Sequence, residues 1–408
     1  MPDGKSLLAL SDESGEVELW TLPPNGVGKP SQLTTDGSVL RWEGIASPDG
    51  KKIAHHDKNQ KLWIFDIATR TDTNIDTNSI DNFASVSWSI DSRWLAYIGA
   101  AGNFNRQVKL HDTQTGTTTF VTTDRFDTGD LTWSPDGKWL YILSDRNIRT
   151  VVDSPWGAMQ PEPFYDQRTK VYAIALKAGE RSPWLPGDEV FDASKDQQAK
   201  LDQEKKDEDK KSDDKKDGEP GPQANKPADA SGVDGAKGEK AAKKEDVAPV
   251  VIELGGVQAR LNEVPIEPGN YFGLMMNDKR LFFLSKDADP DAKPMLVAVD
   301  IANKDVEAKV LVKDVEGYEL SRDGKSLLVR RKGSIAIIDA AAAPGVDLSK
   351  STLALGDWTF TLTPREEWRQ MFIDGWRLER DYFYDTQMHG VDWKGMKDRY
   401  MPLVDRVA

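Results

Sequence analysis

The chain has 408 residues, a formal net charge of −14 and no cysteine. The acidic balance argues against a nucleic-acid or anionic-membrane surface, each of which calls for a basic patch. Lack of cysteine excludes disulfides, thiolate metal sites and a cysteine nucleophile, and no apolar run approaches the roughly 18 residues of a membrane span.

The chain opens with Met1-Pro2-Asp3-Gly4-Lys5, followed by the apolar run Leu7-Leu8-Ala9-Leu10. The same phrase returns as Ser47-Pro48-Asp49-Gly50-Lys51 before Ile53-Ala54, as Ser89-Ile90-Asp91-Ser92-Arg93 before Trp94 to Tyr97, and as Ser134-Pro135-Asp136-Gly137-Lys138 before Trp139 to Leu143. Later copies are Met276 to Arg280, a worn one, and Ser321-Arg322-Asp323-Gly324-Lys325. Pro presets φ for a turn, Gly supplies positive φ, and the aliphatic and aromatic run that follows pleats into a buried strand. From one marker Asp to the next, the first four copies are 46, 42 and 45 residues apart, and the last two are 45 apart. A period of about 40–45 residues made of strands and turns is the mark of a β-propeller blade.

A second strand follows in each repeat: Val17 to Trp20, Lys61 to Asp66, Val108 to Asp112, Val171 to Ile174 and Met295 to Asp300. The expected fold is therefore all-β, a propeller of six to seven blades over residues 1–350. Its first blade is expected to be incomplete, because no apolar strand precedes the first turn. Asp153 to Gln167 is a Pro- and aromatic-rich loop that interrupts the fourth blade, read either as a packed surface loop or as a rim loop that meets a ligand or neighbouring domain. Residues 193–249 are Lys, Asp, Glu, Gly, Ala and Pro with no aromatic residue, a composition expected to be a disordered insertion. Order is expected to return in a strand at Val250 to Leu254.

The pattern changes after residue 350. Thr363-Pro364-Arg365-Glu366 reads as a helix start with a capping box. Trp368, Met371, Phe372, Gly375, Leu378 and Tyr382 follow at helical spacing, predicting an apolar face. Asp392 reads as a second N-cap before Trp393, Met396, Tyr400, Leu403 and Val404. Residues 351–408 are thus expected to be a linker and the helical start of a further domain that the chain does not complete.

The chemistry-bearing residues are few. There is no Gly-x-Ser-x-Gly, phosphate loop or dinucleotide glycine pattern. Of four histidines, His55 and His56 are adjacent on a strand and cannot share a metal. His111 occupies a strand position filled elsewhere by apolar residues, and His389 lies at a turn where a capping or packing role is expected. Turn chemistry accounts for the repeated Asp residues. No catalytic, metal or cofactor-binding residue is assigned.

The closing stretch carries a resemblance. Trp358-Thr359-Phe360, Pro364 to Phe372, Trp376 to Asp385, Met388 to Trp393 and Tyr400 to Val404 resemble the tricorn-type serine peptidases at the junction of their second propeller and first catalytic subdomain. Val251 to Leu254, Asn262 to Pro265 and Tyr271 resemble bacterial members. The resemblance implies an oligopeptide-degrading serine peptidase, cytoplasmic and homo-oligomeric, with a PDZ domain and two catalytic subdomains in the same chain. It places the catalytic Ser and His beyond residue 408, so that the present chain is a gate or guide and is inactive alone. A periplasmic setting is the alternative. The competing readings are a non-catalytic TolB-like binding propeller and the propeller of a prolyl-oligopeptidase-like enzyme.

Overall fold

The computed structural model describes residues 1–147, 167–188, 247–289 and 291–406. The Pro- and aromatic-rich loop, apart from Gln167, and the expected charged insertion up to residue 246 lie outside them. The larger of two units, residues 1–182, 249–301 and 306–408, holds all the regular structure described below. The other unit comprises residues 183–248 with 302–305.

Among the described residues there are six antiparallel sheets, which are the blades of a propeller. Blade one is β1 (Leu7–Ser11), β2 (Glu18–Leu22) and β3 (Ser31–Gln32). Blade two is β4 (Arg41–Ala46), β5 (Lys52–Asp57), β6 (Lys61–Asp66) and β7 (Thr71–Thr77). Blade three is β8 (Ala84–Trp88), β9 (Trp94–Ala100), β10 (Arg106–Asp112) and β11 (Thr117–Phe120). Blade four is β12 (Thr128–Trp133), β13 (Trp139–Ser144), β14 (Lys170–Ala175) and β15 (Leu261–Glu263). Blade five is β16 (Tyr271–Met276), β17 (Arg280–Ser285), β18 (Met295–Asp300) and β19 (Ala308–Val312). Blade six is β20 (Gly317–Leu320), β21 (Ser326–Arg331) and β22 (Ser334–Asp339), extended by a bridge from Ala336 to Thr352.

Blade one has three strands among the described residues, with its turn at Met1–Gly4 leading into β1. Its strands match the second to fourth of the other blades, and Leu7 on β1 is 51 % exposed. One expected strand is corrected. Val250 to Leu254 joins no sheet, and the fourth strand of blade four is β15. Val250 instead packs against the turn of its own blade, where a Cβ on Gly137 would come within 2.8 Å of it, and its N–H donates to Asp91 of blade three at 2.7 Å.

The repeated turn is a hydrogen-bonded unit. Ser134 Oγ donates to Asp136 Oδ1 at 2.6 Å and accepts from Trp139 N at 2.9 Å, while Lys138 N donates to Asp136 at 3.0 Å. Ser47, Ser89 and Ser321 repeat this with Asp49, Asp91 and Asp323. In the worn copy Asn277 does the work alone, its Oδ1 accepting from Lys279 N and Arg280 N. The Asp side chains are thus spent on turns, as their pattern implies.

The cores lie between blades. Ala96, Ile98, Val108 and Leu110 of blade three pack with Leu131, Leu140, Ile142 and Ile174 of blade four. Phe282 and Leu296 of blade five pack with Tyr318, Leu327 and Val329 of blade six. A blade cannot bury both faces alone, so each is stable only against its neighbours. Two tryptophans stitch the joins: Trp88 Nε1 donates to Ile45 O at 2.9 Å, and Trp133 Nε1 donates to Ser87 O at 3.2 Å.

Ion pairs within blades add to this. Arg93 holds Asp112 through two bonds of 3.0 and 2.7 Å, and with the Gln114 N–H it brings the Asp112 carboxyl down to about 2 against the pull of burial. A carboxyl whose pKa is lower folded than unfolded stabilises the protein above its unfolded value, and that stabilisation goes as pH falls through the folded value. The difference in urea midpoint between the parent and Asp112→Asn is therefore expected to be full at pH 5. It should shrink between about pH 4 and about pH 2. A difference that stayed constant over that range would contradict the pairing.

Two helices follow, α1 (Pro364–Tyr382) and α2 (Trp393–Val404). Asp392 caps α2, accepting from Gly395 N at 2.9 Å. Thr363 stands at the N-cap of α1, but its side chain makes no cap bond, so the expected capping box is not formed. Reciprocal bonds from Trp376 Nε1 to Trp393 O and from Trp393 Nε1 to Trp376 O join the helices, at 2.7 and 3.0 Å. The apolar spacing of α1 misleads about its docking face. Its buried residues are Arg377 and Asp381, while Met371, Leu378 and Tyr382 are more than half exposed. The reason is the surface that it meets, the acidic turn from Asp12 to Glu16.

Candidate functional site

Blades two to six each run from an inner strand through the repeated turn to a second strand. The chain then returns to the opposite end, where inner strands begin and second strands end. At that end a cavity of about 350 Å³ opens among the inner strands of blades three, four and five. Its lining includes Arg106, Asp127, Asp130, Asp145, Arg168 and Tyr271.

A repeated backbone irregularity shapes this mouth. The inner strands β4, β8 and β16 carry a register shift at the same place, between Trp42 and Ile45, Ala84 and Ser87, and Phe272 and Met275, and β12 carries one a residue earlier, between Thr128 and Leu131. Glu43, Ser85 and Gly273 in these bulges have φ of 56°, 47° and 68°. A bulge takes one residue out of the ladder and re-aims it. Here the freed groups reach the neighbouring blade. Asp130 Oδ1 accepts from Ser85 Oγ and Oδ2 accepts from Gly273 N, both at 2.7 Å, and Tyr318 OH donates to Gly273 O. One carboxylate thus ties blade three to blade five, and Tyr318 extends the chain to blade six.

Beside it, Arg106 Nε and Nη2 donate to Asp127 at 3.0 and 2.6 Å, and Asp127 N donates to Asp145 at 2.8 Å. Burial opposes the charge on Asp127, but Arg106 outweighs it and holds the carboxyl below its ordinary value. Burial pushes the Tyr271 phenol up. The result is a polar rim with charges of both signs, held together by these bonds.

The histidines are elsewhere. His55 Nε2 pairs with Asp72 at 2.7 Å, while His56 Nε2 is 3.8 Å from Glu43, so the two have separate partners. His111 Nδ1 lies 2.9 Å from Thr118 Oγ1, and burial lowers its pKa. His389 packs among Phe383 and Tyr384, its Nε2 2.5 Å from the Tyr384 hydroxyl. No group of three or more metal-ligating side chains occurs among the described residues. The mouth residues Arg106, Asp127 and Asp130 escape a motif search. Alignment on the turns would have found one of them. Glu43, Ser85, Asp130, Gly273 and Gly317 all stand four places before the Ser or Asn of their turn.

A family model for the tricorn protease second beta propeller domain matches residues 1–341, and one for the tricorn protease C1 domain matches residues 364–408. The chain belongs to the tricorn protease family. It is 25 % identical to tricorn protease homolog 1 of Streptomyces coelicolor over 98 % of this chain and 35 % of that one. It is 22 % identical to the tricorn protease homolog of Saccharolobus solfataricus over 89 % of this chain and 29 % of that one. The chain spans about a third of the length of these curated relatives. The crystal structure of the tricorn protease shares the fold, with a TM-score of 0.71 at 16 % identity over 99 % of this chain and 34 % of that one. The TolB-like alternative has only a distant likeness, a TM-score of 0.44 to TolB from Acinetobacter baumannii at 13 % identity, over 82 % and 60 % of the two chains. No described helix is long and apolar enough to cross a membrane.

Proposed function

We propose that this chain is the propeller part, with the first helices of the catalytic region, of a cytoplasmic serine-type peptidase that degrades oligopeptides. In this reading residues 1–350 are the propeller and residues 351–408 the start of the catalytic subdomain. In this reading the nucleophile, base and oxyanion site that acyl transfer needs together are not assembled by this chain. The catalytic Ser and His and a PDZ domain belong to other parts of the parent protein, which assembles from identical copies. The propeller admits extended peptides and excludes folded proteins.

One observation carries the reading. Helix α1 docks on the β1–β2 turn of blade one, and Lys58 in the equivalent turn of blade two lies 5.8 Å from the Tyr382 ring centre. These turns are at the same end as the polar mouth, so a peptide leaving the mouth emerges beside the start of the catalytic region.

The test uses the full-length protein. Gly129 lines the mouth, and a Cβ there would meet only Leu143, at 3.8 Å. Gly129→Trp is expected to lower kcat/KM for long oligopeptides about tenfold while leaving a short fluorogenic peptide unchanged. Changing the downstream serine to alanine should abolish both. Equal loss for both substrates, or none, would remove the gating role, and cleavage that survives the serine change would remove the serine mechanism.

A further inference from the structure

The contact between α1 and blade one is polar. Asp12 Oδ2 accepts from Arg377 Nη2 at 2.5 Å and from Gln370 Nε2. Glu16 takes Nη1 and Nη2 of Arg380 at 2.6 and 3.0 Å, and Arg380 Nε pairs with Asp381 at 2.9 Å. Arg377 Nε is buried without a hydrogen-bond partner, so the guanidinium is held by its charge partners and not by a saturated network. Residues 352–363, which precede the helix, are exposed and carry no helix or strand beyond the bridge at Thr352. The joins between blades are apolar cores; this one is not.

That difference has a physical consequence. Apolar burial is little affected by simple salt, whereas solvent-exposed ion pairs are screened as the Debye length falls from about 10 Å at 0.1 M to about 3 Å at 1 M, and buried ones much less. Arg377 is buried, but Asp12 and the Glu16–Arg380 pair are about one-quarter to one-third exposed and so open to the screening ions. Pairs near the surface are individually weak, and a network of them is what gives a defined geometry. We infer that Asp12 and Glu16 form a salt-releasable clamp that fixes α1 and α2 at the mouth end of the propeller through Arg377 and Arg380, and that screening it frees the helices on their tether. In the proposed peptidase the clamp sets the register between mouth and catalytic region, a consequence that rests on the preceding reading. The clamp itself does not.

The chain has no cysteine, so a pair of spin labels can be placed cleanly. Labels at Lys29→Cys on blade one and Lys394→Cys on α2 sit at exposed positions outside the contact. Electron–electron double resonance is expected to give one narrow distance at about 0.05 M salt and a broad distribution at about 1 M. Asp12→Asn with Glu16→Gln should be broad at both. Arg377→Asp alone should release the helices, and Arg377→Asp with Asp12→Arg should restore the narrow distance. A narrow distance that persists in high salt overturns the clamp, as does release by Arg377→Asp that the exchanged pair does not reverse. The salt series leaves the contact side chains intact, so a variant that fails to fold does not spoil it. No catalytic domain is required, so failure here leaves peptide gating standing, and failure of gating leaves the clamp standing.

Discussion

Replacing Trp133 with alanine is expected to cost about 3–5 kcal/mol of stability, the range for removing a large buried aromatic side chain. Trp133 is 6 % exposed and sits in the core shared by blades three and four. The loss has two parts, and a second variant separates them. Trp133→Phe keeps most of the apolar volume but leaves Ser87 O without its donor, a change worth about 1–2 kcal/mol beyond the missing ring atoms. Because each blade is stabilised by its neighbours, the damage should spread to both sides of the join and not stay within blade four. Urea midpoints of the parent and the two variants decide it, provided the transition stays cooperative. If Phe costs as much as Ala, the bond to Ser87 O dominates and the packing account is wrong. If neither variant moves the midpoint, the join is not where stability lies.

Replacing Asp130 with alanine is expected to cost about 2–3 kcal/mol, because two bonds to a charged acceptor are lost together. The Gly273 N–H and the Ser85 hydroxyl lose their partner, and both lie in bulges that have left the ladder, so no strand neighbour replaces it. Asp130→Asn distinguishes charge from geometry. Its amide oxygen can accept from Gly273 N–H while its amide nitrogen donates to the Ser85 hydroxyl, which can accept. The Asn variant should therefore retain most of the stability. Hydrogen exchange at the Gly273 amide reads the contact directly, fast in the Ala variant and slow in the Asn variant. Exchange equally slow in all three proteins would show that Asp130 does not hold the ring. Exchange as fast in Asn as in Ala would make the full charge essential.

The legible part of the fold was local. The Ser-Pro-Asp-Gly-Lys phrase sets a turn through side chains two to five residues apart, and Ser134, Asp136 and Trp139 meet as their spacing requires. The strand after each turn, its partner ending in Asp, and the 42- to 46-residue interval between the first four copies then specify the blade and its repetition. Val250 to Leu254 shows where local reading stops. Its apolar run suits a strand, but the adjacent core offered Val250 a place under Gly137, and the ladder position went to Leu261–Glu263.

The sequence by itself determined the turns, the strands that flank them and the positions of both helices, because each depends on interactions within a few residues. Tertiary structure alone decided which groups meet at the mouth and which face α1 presents. Asp130 meets Gly273 across 143 residues and Arg377 meets Asp12 across 365, separations at which no periodicity links the partners. The spacing of Met371, Leu378 and Tyr382 states that α1 has an apolar side, but which side faces the propeller depends on the charge of the surface opposite. That surface is Asp12 and Glu16, so the arginine side turned inward, and Met371 and Leu378 were left more than half exposed.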